Sequence, residues 1–332
     1  MKRRDFIRLL GGCAAGSLVL RSHSALAQQK RRIAALMGGL VEGDPEGQSE
    51  RDAFEAGLKA LGWKAGGNLD IVYHWPGAEL EPVRAAAAEI AGAKPDLVLS
   101  RSTPATAAIQ NSGLPIVFAL VADPLGSGFV DSLGKPGGKL TGFSNFEQSV
   151  GSKWFELLRE AAPQVAKVGL LFNPATAPFA QGYLTAAQNA AQSVGATVIA
   201  APCASIADME AAFAARGRDG GGSGGMIAII DTFLLEHRDF IVTIATRYKV
   251  PTIYGTRAFI ASGGLIAYAA DYQDIFRRAA SYVDRILKGA HPGDLPVQEP
   301  TKYVLSVNLK AASAIGLTLP QRLTAQADEV IE

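Results

Sequence analysis

Short aliphatic runs alternate with longer helical stretches along the chain, and this alternation constrains the fold more than any other feature. The run at 32–37, for example, precedes an amphipathic stretch at 46–61. Strands that are apolar on both faces are typical of parallel sheets covered by helices on both sides. The alternation starts again after a Gly/Pro-rich stretch at 134–138. The sequence therefore predicts an α/β fold with two doubly wound parallel-sheet lobes.

The predicted elements fall into two rounds, followed by a tail. The predicted strands are 32–37, 69–74, 96–100, 115–120, 167–172, 197–201, 226–230, 251–254, 264–269 and 302–307. The predicted helices are 46–61, 80–93, 104–111, 148–162, 179–194, 206–216, 234–248 and 271–288. The Gly-rich segment 217–225 is predicted to be a flexible surface linker. Because the elements of the tail must join one lobe or the other, we expect the chain to cross between the lobes more than once.

The amino-terminal segment has the features of an export signal. Arg3 and Arg4 form a twin-arginine pattern, an uncharged stretch follows at 9–20, and a small-x-small cleavage site ends at Ala27. Twelve residues are too few to cross a hydrocarbon layer of about 30 Å. We therefore expect a periplasmic protein whose signal peptide is cleaved after Ala27. Lipidation of Cys13 is the alternative interpretation.

Composition excludes several classes of protein. Residues 28–332 would carry 27 basic and 30 acidic residues, and this weakly negative charge argues against nucleic acid and anionic membrane surfaces as partners. A content of 48% hydrophobic residues allows two well-packed domains. Cys203 would be the single cysteine of the mature chain, so we expect a buried, inert thiol and no intramolecular disulfide.

No catalytic or metal-binding pattern is evident in the sequence. Gly221-x-Ser223-x-Gly225 matches the nucleophile elbow of serine hydrolases, but a helix is predicted before it and a strand after it, which reverses the required order. The histidines outside the signal segment have no metal-ligand spacing. The sequence predicts a non-enzyme without a metal or cofactor. A hydrolytic enzyme with Asp123 or Asp231 as general base is the less favoured alternative.

Polar residues recur where predicted strands end, and in open α/β sheets ligands bind beyond those ends. Ser102 and Thr103 follow one strand, and Thr103 as N-cap would direct free backbone N–H groups at an anionic ligand group. Asp123 and Asn173 follow two other strands, each as a ligand contact or as a turn initiator. Asp231 is either an N-cap or the carboxylate that receives an ammonium group.

Three aromatic residues are further candidates for the ligand site. Tyr254 ends a predicted strand and could supply a hydroxyl group or a ring face. Phe233 and Tyr268 could form aromatic walls, although isolated aromatic residues are also common in hydrophobic cores.

Several segments, in the same order, match a known family. They include Ala53–Leu58, Ser102–Ala105, Pro115–Phe118, Ala122–Gly128, Lys135–Gly138, Leu140–Gly142, Asn173-Pro174, Ile253–Arg257, Gly263–Leu265, Arg277–Ala290, Asp294–Val297, Asn308–Lys310 and Ala327–Glu332. The chain resembles the periplasmic substrate-binding proteins of ABC transporters whose better-known members bind tryptophan or other aromatic amino acids. Ser102 stands where that family usually has glycine, and Arg101 beside it is also unusual.

The resemblance implies a type I periplasmic-binding fold with a ligand cleft between two lobes. It places 31–145 and 256–300 in one lobe, and 146–255 and 301–332 in the other. It implies a monomer that captures a small carboxylate-bearing solute by hinge closure and delivers it to an ABC permease, with no cofactor. A ligand sensor for a membrane receptor is the alternative function.

Overall fold

The computed structural model describes residues 30–145, 147–218 and 223–332. The predicted signal peptide, Cys13 and the centre of the predicted linker lie outside the described residues. Gly217 belongs to a helix, and Gly224 and Gly225 belong to a buried strand. The linker is therefore shorter than the predicted 217–225.

The described residues form strands and helices in the alternating order that the sequence predicts. The strands are β1 Arg31–Met37, β2 Leu69–His74, β3 Leu97–Arg101, β4 Ile116–Val121, β5 Leu140–Ser144, β6 Lys167–Phe172, β7 Thr197–Pro202, β8 Gly224–Ala228, β9 Thr252–Tyr254, β10 Ile266–Ala270, β11 Tyr303–Asn308 and β12 Glu329–Ile331. The helices are α1 Pro45–Ala60, α2 Leu80–Ala93, α3 Thr103–Ile109, α4 Val150–Ala161, α5 Ala180–Gln192, α6 Ile206–Arg218, α7 Thr232–Glu236, α8 Arg238–Arg247, α9 Ala258–Ala261, α10 Tyr272–Leu287, α11 Leu309–Ala314 and α12 Gln321–Gln326. Two 3₁₀ turns lie at Gln110–Ser112 and Pro292–Asp294.

The strands form two sheets, one in each lobe. The first has the order β2-β1-β3-β4-β5, and all of its neighbouring strands are parallel. The second has the order β12-β11-β10-β9-β8-β6-β7. Its strands are parallel except for the antiparallel pair β10 and β11. The prediction of two doubly wound parallel-sheet lobes is confirmed, with this one antiparallel pairing as an addition.

The chain passes between the lobes at three places: after β5, after β10 and before β11. Because β10 pairs with β9 and β11, residues 256–270 lie in the second lobe. The predicted boundary at 256 is therefore wrong, and the chain returns to the first lobe at α10, which packs against α1. β10 ends, and β11 begins, at the side of the second lobe where the chain crosses between the lobes. These two neighbouring strands therefore run in opposite directions.

Each lobe has an apolar core on both sides of its sheet. Phe54 of α1 and Phe276 of α10 pack in the core of the first lobe. Trp154 of α4 and Tyr183 of α5 pack in the core of the second lobe. Cys203 is buried as expected, and burial raises the pKa of its thiol to about 12. A protonated, buried thiol is a poor nucleophile.

Candidate functional site

A cleft lies where the carboxyl ends of strands from the two sheets face each other. Its first-lobe wall follows β3, β4 and β5, and its second-lobe wall follows β6, β8 and β9. The space between the walls, counted together with open solvent, is about 410 Å³. The lining residues are Arg101, Ser102, Thr103, Pro104, Leu120, Ala122, Asn145, Thr176, Phe179, Ile230, Asp231, Thr232, Leu235, Thr256 and Tyr272.

Ser102 stands between β3 and α3 in an unusual backbone conformation. Its φ of 81° and ψ of 158° lie in a region that glycine alone adopts without strain. Hydrogen bonds hold it there, from Ser102 N to Ala119 O (3.0 Å) and from Thr106 N to Ser102 O (3.1 Å). The Ser102 Oγ atom is buried and has no hydrogen-bond partner among the described residues. This conformation explains why glycine is usual here in the family that the sequence resembles.

Thr103 is held by the backbone of the neighbouring strand. Its Oγ1 accepts a hydrogen bond from Ala122 N at 3.0 Å and donates one to Ala122 O at 3.3 Å. The N-cap of α3 is Ser102, whose side chain makes no capping bond, and Pro104 lies in the first turn. The prediction of Thr103 as N-cap is therefore wrong. Thr103 does line the cleft, where its hydroxyl group fixes the end of β4.

Asp231 is buried at the floor of the cleft and connects two loops of the second lobe. Its Oδ2 accepts a hydrogen bond from Asn173 N (2.6 Å), and its Oδ1 accepts from Thr176 Oγ1 (2.6 Å), Phe233 N (2.7 Å) and Leu234 N (3.3 Å). Burial raises the pKa of its carboxyl group above the ordinary value, although these hydrogen bonds oppose the rise. The N-cap interpretation of Asp231 is confirmed, because its side chain caps α7.

Asn173 and Asp123 both organise turns. Asn173 Oδ1 accepts a hydrogen bond from Ala175 N at 2.8 Å, and Asp123 Oδ1 accepts one from Gly126 N at 2.9 Å. Asn and Asp residues commonly initiate turns of this kind. Thr176, three residues after Asn173, is the member of that turn that lines the cleft.

The three predicted aromatic residues lie away from the cleft lining described above. Tyr254 is 1% exposed and stacks on Phe259, with ring centroids 4.4 Å apart, in the core of the second lobe. Tyr268 stacks on Tyr303 at 5.3 Å. Phe233 meets the His237 ring edge-on at 4.7 Å. The structure thus brings Ser102, Thr103 and Asp231 together at the cleft but leaves the aromatic candidates outside it.

Asn145 and Thr232 are cleft residues that sequence reasoning missed. Asn145 follows β5, and its Nδ2 donates a hydrogen bond to Tyr272 Oη at 3.4 Å. Asn145 Oδ1 and Thr232 Oγ1 are both buried, and within residues 30–145, 147–218 and 223–332 neither has a hydrogen-bond partner. The signal for Thr232 was its place directly after Asp231, whereas the strand before Asn145 was not predicted.

Arg101 forms a buried ion pair on the first-lobe side of the cleft. Its Nε and Nη2 donate to the Glu50 carboxylate at 2.7 and 3.0 Å, and its Nη1 donates to Gly38 O at 3.0 Å. The exposed fractions of the two side chains are 3% and 1%. Because Glu50 neutralises the guanidinium group, Arg101 offers the cleft little net positive charge.

The lobes contact each other around the mouth of the cleft. Leu40 and Trp75 of the first lobe pack against Leu235 and Ala258 of the second. Gly39 also lies against the second lobe, because a Cβ atom at this position would come within 2.6 Å of Thr232 Cγ2. The structure therefore has the two lobes closed over the cleft.

Other kinds of site receive no support from the described part of the chain. His, Cys, Asp and Glu residues do not gather there in groups of three that could hold a metal ion. None of the described helices is both long and apolar enough to span a membrane.

Comparisons with known proteins agree with this architecture. The tyrosine-binding protein of Clostridioides difficile (strain R20291) is 23% identical over 330 residues, covering 96% of this chain and 90% of that protein. A conserved domain protein from Vibrio cholerae O1 biovar El Tor has a solved structure that is 28% identical, with a TM-score of 0.82 over 91% of this chain and 99% of that chain. The ABC domain from Streptococcus pneumonia in complex with L-Trp is 23% identical, with a TM-score of 0.82 over 91% of this chain and 100% of that chain.

The family resemblance expected from the sequence is also confirmed. A sequence model of the family described as ABC transporter substrate binding protein matches residues 39–331. That span includes both lobes apart from β1, and every residue that lines the cleft. The chain therefore belongs to the family of ABC transporter substrate-binding proteins.

Proposed function

We propose that this protein captures a small carboxylate-bearing solute, an amino acid or an aromatic acid, and delivers it to the transmembrane subunits of an ABC permease. The proposal places the mature chain in the periplasm, as a monomer, after removal of residues 1–27. Family membership supports the transport role. One relative is named a tyrosine-binding protein, and another was solved in complex with L-Trp. Both support a solute of this size and chemistry.

The observation that carries the proposal is that three of the residues lining one cleft each have a buried polar atom without a partner. In the described residues these atoms are Ser102 Oγ, Asn145 Oδ1 and Thr232 Oγ1. Leaving a buried polar atom without a partner costs about 1–3 kcal/mol, so a ligand that supplies the partners is bound favourably. The hydroxyl groups can donate to carboxylate oxygens, and the amide oxygen can accept from an ammonium group.

The three atoms also explain how binding would drive closure. Ser102 belongs to the first lobe and Thr232 to the second, while Asn145 lies where the chain first crosses between them. A solute held by all three makes its full set of contacts in the closed state alone. Such differential contact shifts a hinged protein towards closure.

Hydrogen bonding at the two carboxylates favours binding over catalysis. A general base needs an oxygen that is free to take a proton from the substrate or from water. Asp231 accepts four hydrogen bonds through its two oxygens, and Asp123 Oδ1 accepts one inside a turn that lies outside the cleft lining. Both carboxylates thereby hold loops, and neither presents a free oxygen to a solute in the cleft.

A thermal-shift screen of residues 28–332 against amino acids, aromatic acids and other small carboxylates tests the proposal. A solute at 100 times its Kd adds about 2.7 kcal/mol to the free energy of unfolding. We expect a shift with at least one compound, and recovery of that compound unaltered.

Two variants assign the binding to the cleft. Ser102→Ala and Thr232→Val each remove one unpartnered hydroxyl group and should reduce the shift, whereas Thr243→Val, on the exposed face of α8, should not. No shift with any compound would contradict the carboxylate proposal. Consumption of the compound would instead indicate an enzyme.

A further inference from the structure

A group of charged side chains joins the two lobes at the amino-terminal end of α1. Asp44 caps this helix, and its Oδ2 lies 2.7 Å from Nη2 of Arg238, the residue at which α8 begins in the second lobe. The exposed fractions of the two side chains are 5% and 20%. Glu46, in the first turn of α1, accepts a hydrogen bond from Thr256 Oγ1 of the second lobe at 3.4 Å. Closure therefore places the Glu46 carboxyl group against the opposite lobe.

Every basic group around Glu46 already has a carboxylate partner. The titratable and charged groups that face it are Asp44 and Glu50 from α1 and its cap, Arg101 from β3, Arg238 from α8, Arg257 beside α9 and Tyr272 from α10. Arg101 is engaged by Glu50, Arg238 by Asp44 and Arg257 by Glu329. An ionised Glu46 thus meets three guanidinium groups that already have carboxylate partners.

Burial is the largest influence on this carboxyl group in the closed protein. Loss of water, together with the nearby charge of Glu50, raises the pKa of Glu46 from 4.5 to about 7, while Arg101 and Arg238 oppose the rise. Opening the lobes would withdraw Thr256 and Arg238 and return the carboxyl group to water. A solvated glutamate titrates near its ordinary value.

We propose that closure of the lobes takes up a proton at Glu46, so that the closed state is favoured as pH falls through the neutral range. The closed state holds one proton more than the open state between about pH 4.5 and 7. Over that interval the ratio of closed to open protein falls by up to about tenfold per pH unit as pH rises, and above it the ratio levels off. This inference rests on the hinge closure of the proposed function and adds its regulation.

Electron spin resonance distances between the lobes test the inference without any solute. Spin labels at Ala56→Cys on α1 and Gln192→Cys on α5, both exposed positions, would report the separation of the lobes in a Cys203→Ser background. We expect the closed population to decrease between pH 5 and 7. Glu46→Gln should abolish this dependence, while Glu42→Gln, which removes the same charge from the exposed loop before α1, should retain it.

The outcomes separate this inference from solute capture. A closed population that does not vary with pH, or that varies equally in Glu46→Gln, would overturn it. Carbon NMR titration of the Glu46 carboxyl group in the unsubstituted protein measures its pKa independently. An ordinary glutamate pKa in the closed protein would also overturn the inference. Because no solute is present, these results do not bear on whether the cleft binds a carboxylate.

Discussion

Replacing Ser102 with glycine tests whether a strained backbone is kept at the cleft for the sake of one hydroxyl group. Ser102 has φ 81° and ψ 158°, and its Oγ is buried without a partner among the described residues. Glycine adopts this conformation without a clash and carries no hydroxyl group. The substitution should therefore make the unliganded protein more stable while weakening its hold on the solute.

The expected magnitude follows from three terms. A non-glycine residue in this region of φ/ψ costs about 1–3 kcal/mol, and an unpartnered buried hydroxyl group adds about 1–3 kcal/mol. The greater backbone entropy of glycine in the unfolded chain offsets about 0.5–1 kcal/mol of the gain. We expect the free energy of unfolding to rise by at least about 1 kcal/mol, which corresponds to roughly 2–4 °C in Tm.

Ser102→Ala is the matched control, because alanine removes the hydroxyl group but keeps the Cβ atom and the backbone strain. Urea unfolding of the three proteins without solute measures the two contributions separately. The glycine variant should be more stable than the alanine variant by about 1 kcal/mol, because relief of the strain (about 1–3 kcal/mol) exceeds the entropic cost of glycine (about 0.5–1 kcal/mol). Both variants should lose solute affinity to a similar extent.

A glycine variant less stable than the alanine variant, as the entropy of glycine alone would make it, would show that Ser102 is not strained. Full solute affinity in both variants would remove its hydroxyl group from the binding site. Either result would refute the reasoning that links the backbone conformation at this position to function.

Other parts of the site make further predictions. Asp231→Ala should lower the free energy of unfolding by about 2–4 kcal/mol in urea titrations, because it removes a helix cap and leaves buried donors unpaired; an unchanged midpoint would contradict this. Glu50→Leu alone should cost about 3–5 kcal/mol by leaving the buried Arg101 charge unpaired, and combining it with Arg101→Met should recover much of that loss. A double variant as unstable as the single would contradict the ion-pair assignment. Between pH 7 and 5, solute affinity should rise in the unsubstituted protein but stay constant in Glu46→Gln, as isothermal titration can measure.

Much of the fold was predictable because its strands are continuous apolar runs between helices. The predicted strands 69–74 and 167–172 coincide with β2 and β6. β5 was missed because its five residues include Thr141, Gly142 and Ser144 and do not form such a run. In the structure a Cβ atom on Gly142 would lie 2.0 Å from Phe118 O, so glycine permits the close pairing with β4. That requirement comes from tertiary contact and leaves no periodic signal.

The sequence predicted only part of the site, because the rule that ligands bind at strand ends does not say which way a side chain points. Successive side chains along a strand face opposite sides of the sheet. Tyr254 ends β9 as predicted, but its ring packs onto Phe259 within the lobe. Ser102 directly follows β3, and Asp231 directly follows the predicted strand 226–230, so both were found. Asn145 could not be found without β5.

The most direct test of the central claim is a crystal structure of the protein with the solute that the thermal-shift screen identifies. We expect one solute molecule in the cleft, with polar atoms within hydrogen-bond distance of Ser102 Oγ in the first lobe and Thr232 Oγ1 in the second. We also expect the solute to donate a hydrogen bond to Asn145 Oδ1. A solute bound to one lobe alone, or outside the cleft, would contradict the claim that this protein captures its solute by closing two lobes around it.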